Sequence, residues 1–191
     1  MSLDSYSDCS SSDGQESPTE IYDKPFTKGF ENGTQQGKDT RDLVVSYVGY
    51  RLRTKFQQCR LRGLPREYLV PLSKPSAKAL KLRTLAINLE GQHDPLFQQI
   101  CLKIDLSEHR ATENFQKIAQ EIFTTGVNWG RIVSLITFVG VVADYYIEQE
   151  QPEMVSVVVQ LLCEFMHVHL AGWIKENGGW VCEMLRLKLD C

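Results

Sequence analysis

The chain has 191 residues, 42% hydrophobic and 24% charged, enough for one buried core with or without a tail. Its net charge of −3 and pI near 5.8 argue against a nucleic-acid binder held by phosphate contacts. Cys9, Cys59, Cys101, Cys163, Cys182 and Cys191 are dispersed with no C-x-x-C, and the opening MSLDSYSDCSSSDGQ is too acidic and polar for a secretory signal. That excludes a zinc ribbon, a redox dithiol and a dense secreted disulfide framework, and reads as a reduced, intracellular chain.

Residues 1–38 hold seven acidic residues and three lysines among serines and glycines. Such a stretch buries too little apolar surface to offset chain entropy, so it is read as a disordered acidic tail with local order around IYDKPF. The folded domain is expected over 39–191. From Thr40 onward, Leu43, Val44, Tyr47, Val48 and Leu52 recur every three or four residues, predicting an amphipathic helix capped by Asp39 or Thr40. Gly63, Pro65, Pro71 and Pro75 mark a linker over about 57–75. A second helix is predicted over 76–93, carrying Leu82, Leu85, Ile87 and Leu89 and ended by Gly91 and Pro95. Residues 96–104 then form a short segment before a loop. Thr112 and Glu113 open an amphipathic helix through Phe115, Ile118, Ala119, Ile122 and Phe123. Asn128 caps a long apolar helix to Ile147, whose apolar run at 132–143 is shorter than the roughly 18 residues of a membrane span. Pro152 starts a return helix, broken at Gly178 and Gly179, and 180–189 is a last helix. No stretch sustains period-two alternation, although VSVVV has strand propensity. The expected fold class is all-α, with amphipathic helices around a central hydrophobic helical hairpin.

Two helices that are apolar nearly all round belong at the centre of a bundle or in a membrane, and both solvents prefer the same residues. Arg131 falls in the first turn of its helix, where the dipole disfavours a cation by about 0.3–1 kcal/mol. Its neighbour Gly130 is a poor helix former, costing about 1 kcal/mol relative to alanine. Two locally unfavourable choices side by side suit a carboxylate-binding arginine at the rim of a groove, with Gly130 admitting another backbone. On spacing alone, the commoner arrangement is an arginine paired with the protein's own Asp or Glu. Cys163 and His167 share a helix face but are too few for a metal, and the phosphate-loop, dinucleotide, zinc-protease and nucleophile-elbow motifs are missing.

GVNWGRIVSLITFVG at 126–140, followed by WIKENGGW at 173–180, closely resembles the first and second homology regions of the Bcl-2 family of apoptosis regulators. TRDLVVSYVGYRL at 40–52 resembles the family's amino-terminal homology region, BH4, so the resemblance covers about 40–189. Leu82, Arg83, Leu85, Leu89 and Phe97 match the apolar ladder of a BH3 segment, but Ala86 stands where glycine is usual and Ile87 where aspartate is usual. That departure counts against the chain as a donor of its own death motif and leaves a receptor role intact. The resemblance implies about eight helices around the hairpin 129–147 and 152–170, with a surface groove that receives a partner's amphipathic helix. It implies that Arg131 pairs with the incoming peptide's aspartate, that Asn128 bonds the same carboxylate or nearby backbone, and that Gly130 permits close approach. Leu89, Phe97, Ile118, Ile122, Val133 and Phe138 are expected along the pockets, with Trp129 and Trp180 structural rather than contacting.

The implied function is anti-apoptotic, sequestering BH3-bearing pro-apoptotic proteins (BH3-only and Bak/Bax-like) to restrain mitochondrial outer-membrane permeabilisation. The alternative is a pore-forming effector of the same fold. Residence is expected in the cytoplasm and at the mitochondrial outer membrane, with the endoplasmic reticulum a further site. Relatives use a carboxyl-terminal hydrophobic anchor, and 181–191 does not supply one, so the expectation is either an anchor beyond this sequence or peripheral association. No catalytic residue, metal or cofactor is expected.

Overall fold

The computed structural model describes residues 35–70, 74–103, 107 and 109–180. The expected acidic tail therefore lies, over 1–34, outside the described residues, as does the last helix beyond Trp180. Helix α1, Gln35–Lys55, begins before Asp39 and Thr40, so neither is its cap. Thr40 is instead a buried residue within the helix. Its hydroxyl donates to the Gln36 carbonyl at 2.8 Å and accepts from the Trp180 indole N–H at 2.9 Å. The Gln36 amide donates to the Ala171 carbonyl, and these two bonds tie the early turns of α1 to the far end of the chain. The expected apolar face is present: Val44, Val48 and Leu52 are completely buried.

The expected linker over 57–75 is largely folded, a correction to the reading from its glycine and prolines. A 3₁₀ turn at Gln58–Leu61 and a short helix α2, Arg66–Leu69, lie down on α1. Leu61, Leu64 and Tyr68 are buried, and the Arg41 guanidinium grips the Glu67 carboxylate through two bonds of 2.9 and 2.8 Å. Gly63 and Pro65 lie at turns as read, but three apolar side chains around them supplied the reason to pack.

Helix α3, Ala77–Lys103, starts where the Ser76 hydroxyl accepts from the Ala79 N–H at 3.2 Å. It does not stop at Gly91 or Pro95, contrary to expectation, and absorbs the segment 96–104 to Lys103. A proline inside a helix costs about 3 kcal/mol through a lost hydrogen bond and a clash with the carbonyl four residues back. Here that carbonyl belongs to Gly91, and the turns beyond Pro95 bury Phe97 and Cys101. Each such burial returns about 1.5–3 kcal/mol, which offsets the break.

Helix α4, Ala111–Phe123, buries the ridge Ala111, Phe115, Ala119 and Phe123. Phe115 meets Phe165 edge-on at 6.1 Å, and Phe123 stacks on it at 5.8 Å. Helix α5, Trp129–Glu148, and helix α6, Glu153–Phe165, form the hydrophobic hairpin, with α5 buried on nearly every side. VSVVV lies within α6, where core burial overrides its strand propensity. A π-helical turn at Met166–Leu170 leads into α7, Ala171–Glu176. Gly178 and Gly179 adopt positive φ (81° and 66°) and turn Trp180 back into the core. The described residues thus form an all-α bundle of seven α-helices with the hairpin α5–α6 at its centre and no strand.

Candidate functional site

Helix α3 packs on α5, and α4 packs on α5 and α6, leaving an open cavity of about 520 Å³ between α3 and α4 with α5 beneath. On α3 it is lined by Leu89, His93, Leu96, Phe97 and Ile100, positions that fall on one face of a helix. On α4 the lining residues are Lys117, Ile118, Glu121 and Ile122, and on α5 they are Ser134 and Phe138. The buried ridge of α4 is occupied by Phe165, so Ile118 and Ile122, one position round, are left half-buried against the opening. Leu96 is 54% exposed, a large apolar side chain left in water beside a hollow of its own kind. The polar lining groups are spread over the three helices, and Lys117 is held to Glu113 one turn earlier at 2.5 Å.

Arg131, Asn128 and Gly130 do not line this cavity; Arg131 shares the α5 face of Ser134 and Phe138, three and seven residues before them. Its backbone N–H donates to Asn128 Oδ1 at 2.9 Å, the N-cap expected of Asn128. Its guanidinium donates to the Gly126 carbonyl at 2.5 Å and to the Thr125 hydroxyl. Among the described residues no carboxylate meets it, so the internal ion pair left open by the sequence is not present there. The acceptors its guanidinium meets there are neutral.

Five of the expected pocket residues are brought together on that cavity: Leu89, Phe97, Ile118, Ile122 and Phe138. Val133 is not among them. It is 1% exposed and belongs to the core, because two residues along a helix is a rotation of about 200° away from Arg131. Asn128 spends its side-chain oxygen on capping α5. A Cβ on Gly130 would meet Asn128 Oδ1 at 3.3 Å, so the glycine protects the cap as well as leaving the surface low. Trp129 and Trp180 are buried, 5.4 Å apart between ring centroids, with Trp173 at 5.5 Å from Trp129; they anchor the start of α5 from behind. His93, Leu96 and Ile100 were missed, and their signal was present in the sequence. They continue the spacing from Leu89 once the helix is allowed to run past Pro95.

The first part of the BH3-like ladder faces inward, while its Leu89 and Phe97 line the cavity. Leu82, Leu85 and Ala86 are 0–2% exposed, whereas Ile87 is 54% exposed.

The model of the Bcl-2 family of apoptosis regulator proteins matches residues 82–180, a span containing all nine residues singled out from the sequence. Over 159 residues the chain is 30% identical to human Bcl-2 homologous antagonist/killer, a match covering 78% of this chain and 74% of that protein. It is 30% identical over 99 residues to rat Bcl-2-like protein 1, covering 52% and 42%. To chicken apoptosis regulator Bcl-2 it is 32% identical over 116 residues, covering 61% and 49%. The chain thus spans less than half the length of the latter two relatives. Among solved structures it resembles Trichoplax adhaerens trBcl-2L2, crystallised bound to trBak BH3, with a TM-score of 0.66 and 27% identity, covering 76% of this chain and 95% of that one.

Proposed function

Because the chain belongs to the Bcl-2 family of apoptosis regulators, we propose that it is a pro-survival member: it binds the amphipathic BH3 helices of pro-apoptotic proteins between α3, α4 and α5 and so restrains mitochondrial outer-membrane permeabilisation. The observation that carries this reading is an apolar cavity between α3, α4 and α5, together with an arginine on the same face of α5, one turn before Ser134, that meets no carboxylate among the described residues. A helix with apolar side chains on one face and an aspartate one turn along complements both features. Each seated side chain contributes about 1.5–3 kcal/mol before the cost of ordering a free peptide. The Arg131 pair adds about 1.5–3 kcal/mol and sets the register. The binding mode is also supported by the BH3 peptide carried by the Trichoplax relative. A pro-survival role is supported by the chain's own ladder, whose Ile87 stands in place of the acid a receptor's arginine needs and whose Leu82 and Leu85 are spent on the core.

A second reading, an effector that permeabilises the membrane itself, is favoured by the extent of the match to Bcl-2 homologous antagonist/killer. Residence at the mitochondrial outer membrane fits either reading. The windows 129–148 and 153–176 are long and apolar enough to cross a bilayer, although 78% and 61% of their apolar windows are buried within the fold.

Calorimetry with synthetic BH3 peptides tests the groove, and the expected result is saturable binding below about 1 μM, or roughly −8 kcal/mol. No heat and no saturation across several such peptides would overturn it. Dye release from liposomes separates the two roles. A pro-survival protein blocks release by an added effector, whereas release by this chain after peptide addition assigns it to the effectors.

A further inference from the structure

A groove grips a helix only as firmly as its walls are held. The α3 wall runs from Leu89 to Ile100 with Pro95 inside it, so its own hydrogen-bond ladder is interrupted in mid-wall. The support comes from α1. Arg51 donates from Nη2 to Glu90 Oε1 at 2.6 Å and from Nη1 to Glu90 Oε2, and Glu90 is the residue after Leu89. The same guanidinium donates to Asp144 Oδ2 from Nε at 2.9 Å and from Nη2 at 2.7 Å. One planar fork therefore joins α3, which carries one wall, to α5, which carries Phe138 and the floor. It is also seated sterically, because a Cβ on Gly140 would lie 2.8 Å from the Tyr47 ring and 3.1 Å from Arg51 Cδ. The absence of that carbon lets α1 lie against α5 just beyond Phe138.

The fork differs from an ordinary surface ion pair. The Arg51 side chain is 11% exposed and that of Asp144 3%, so each charge has given up water and must keep its partner. Lys55 adds a bond to Asp144 at 2.9 Å and a longer contact to Glu148 at 3.4 Å, but it stands outside the α3 link. None of Arg51, Glu90 and Asp144 lines the cavity.

We infer that Arg51 is a positioning residue for the groove: by holding Glu90 and Asp144 together, α1 sets the separation of the α3 wall from α5, and with it the affinity for a BH3 helix that Arg51 never touches. This rests on the reading of the cavity as a BH3 site. The fork is a rigid, two-sided hydrogen-bonded link, so loosening either side frees the wall to move.

The test is fluorescence anisotropy with a labelled Bak BH3 peptide on the whole chain, each variant first shown to melt cooperatively. Glu90→Gln is expected to weaken binding about three- to tenfold, and Glu90→Asp to recover part of the loss. Arg51→Gln weakens it similarly, and the double variant is no worse than the poorer single one, because one link is being broken twice. Glu148→Gln, which removes a carboxylate from the same cluster without touching α3, leaves affinity unchanged. Should Arg51→Gln fail to fold, Glu90→Gln decides alone, since the Glu90 side chain is 22% exposed. Glu90→Gln binding within about twofold of the parent, while Arg131→Ala binds at least about tenfold more weakly, overturns the inference and spares the groove. If Arg131→Ala and Phe138→Ala also leave affinity unchanged, the groove reading falls and takes the inference with it.

Discussion

A guanidinium in the first turn of a helix faces the positive end of the backbone dipole, yet Arg131 occupies that place in α5. The carbonyl it uses, Gly126, lies just past the carboxyl end of α4, where the dipole has the opposite sign. A carbonyl in the turn that follows α4 therefore offsets part of the penalty. Replacing Arg131 with alanine is expected to weaken BH3 binding by about ten- to hundredfold in calorimetry while barely changing the melting temperature. A comparable loss of stability would mean that the residue serves the fold. Glu90 gives a second, pH-dependent expectation. The Arg51 hydrogen bonds hold its carboxyl below the ordinary value of 4.5. Since the folded value is the lower one, its stabilisation is complete above about pH 4.5 and vanishes as pH falls through the folded value. Urea titrations between about pH 5 and 3 should show a shallower acid loss for Glu90→Gln than for the parent, and parallel curves would remove the linkage. Thiols give a third expectation. Burial pushes Cys101 up to about 11 and Cys163 up to about 12, while Cys59 is exposed. Native alkylation followed by peptide mapping should mark Cys59 and spare the other two until the chain is unfolded.

Helix α3 illustrates how an element can outlast its own stop signals. Gly91 and Pro95 are each unfavourable in a helix interior, but the residues beyond them have core to reach. Pro95→Ala is expected to raise stability by about 1–3 kcal/mol in denaturant titration, because it restores a bond and removes a ring clash without disturbing Phe97 or Cys101. The α1–α5 contact argues the other way. Gly140→Ala would force a methyl against the Tyr47 ring, and a loss of about 1–3 kcal/mol is expected. An unchanged denaturation midpoint would mean that α1 sits further from α5.

For the molecule as a whole, the hairpin α5–α6 carries the core, and the remaining helices shield it from water. A helix bound in the proposed groove binds the folded chain and not the unfolded one, so it should stabilise the entire fold by mass action. At a peptide concentration of a hundred times Kd the gain is about 2.7 kcal/mol. For a chain of this size that raises the melting temperature by about 5–10 °C. A melting point that stays fixed under saturating peptide would place the binding elsewhere than the folded state.

The helical character, the inward faces of α1 and α4, the Asn128 cap and the two all-apolar core helices were legible in residue spacing, because local periodicity and burial point the same way there. The homology boxes around Trp129, Gly130 and Arg131, and around Trp180, were legible for the same reason: they are short, contiguous and chemically distinctive. Three features were not. Passage of α3 through Pro95, the folded state of 57–70 and the inward turn of Val133 depend on which apolar side chains find a partner across the bundle, and that is a contact between residues distant in sequence. The Arg51 fork belongs with them, since its carboxylates lie 39 and 93 positions away and only packing of α1, α3 and α5 brings the three together.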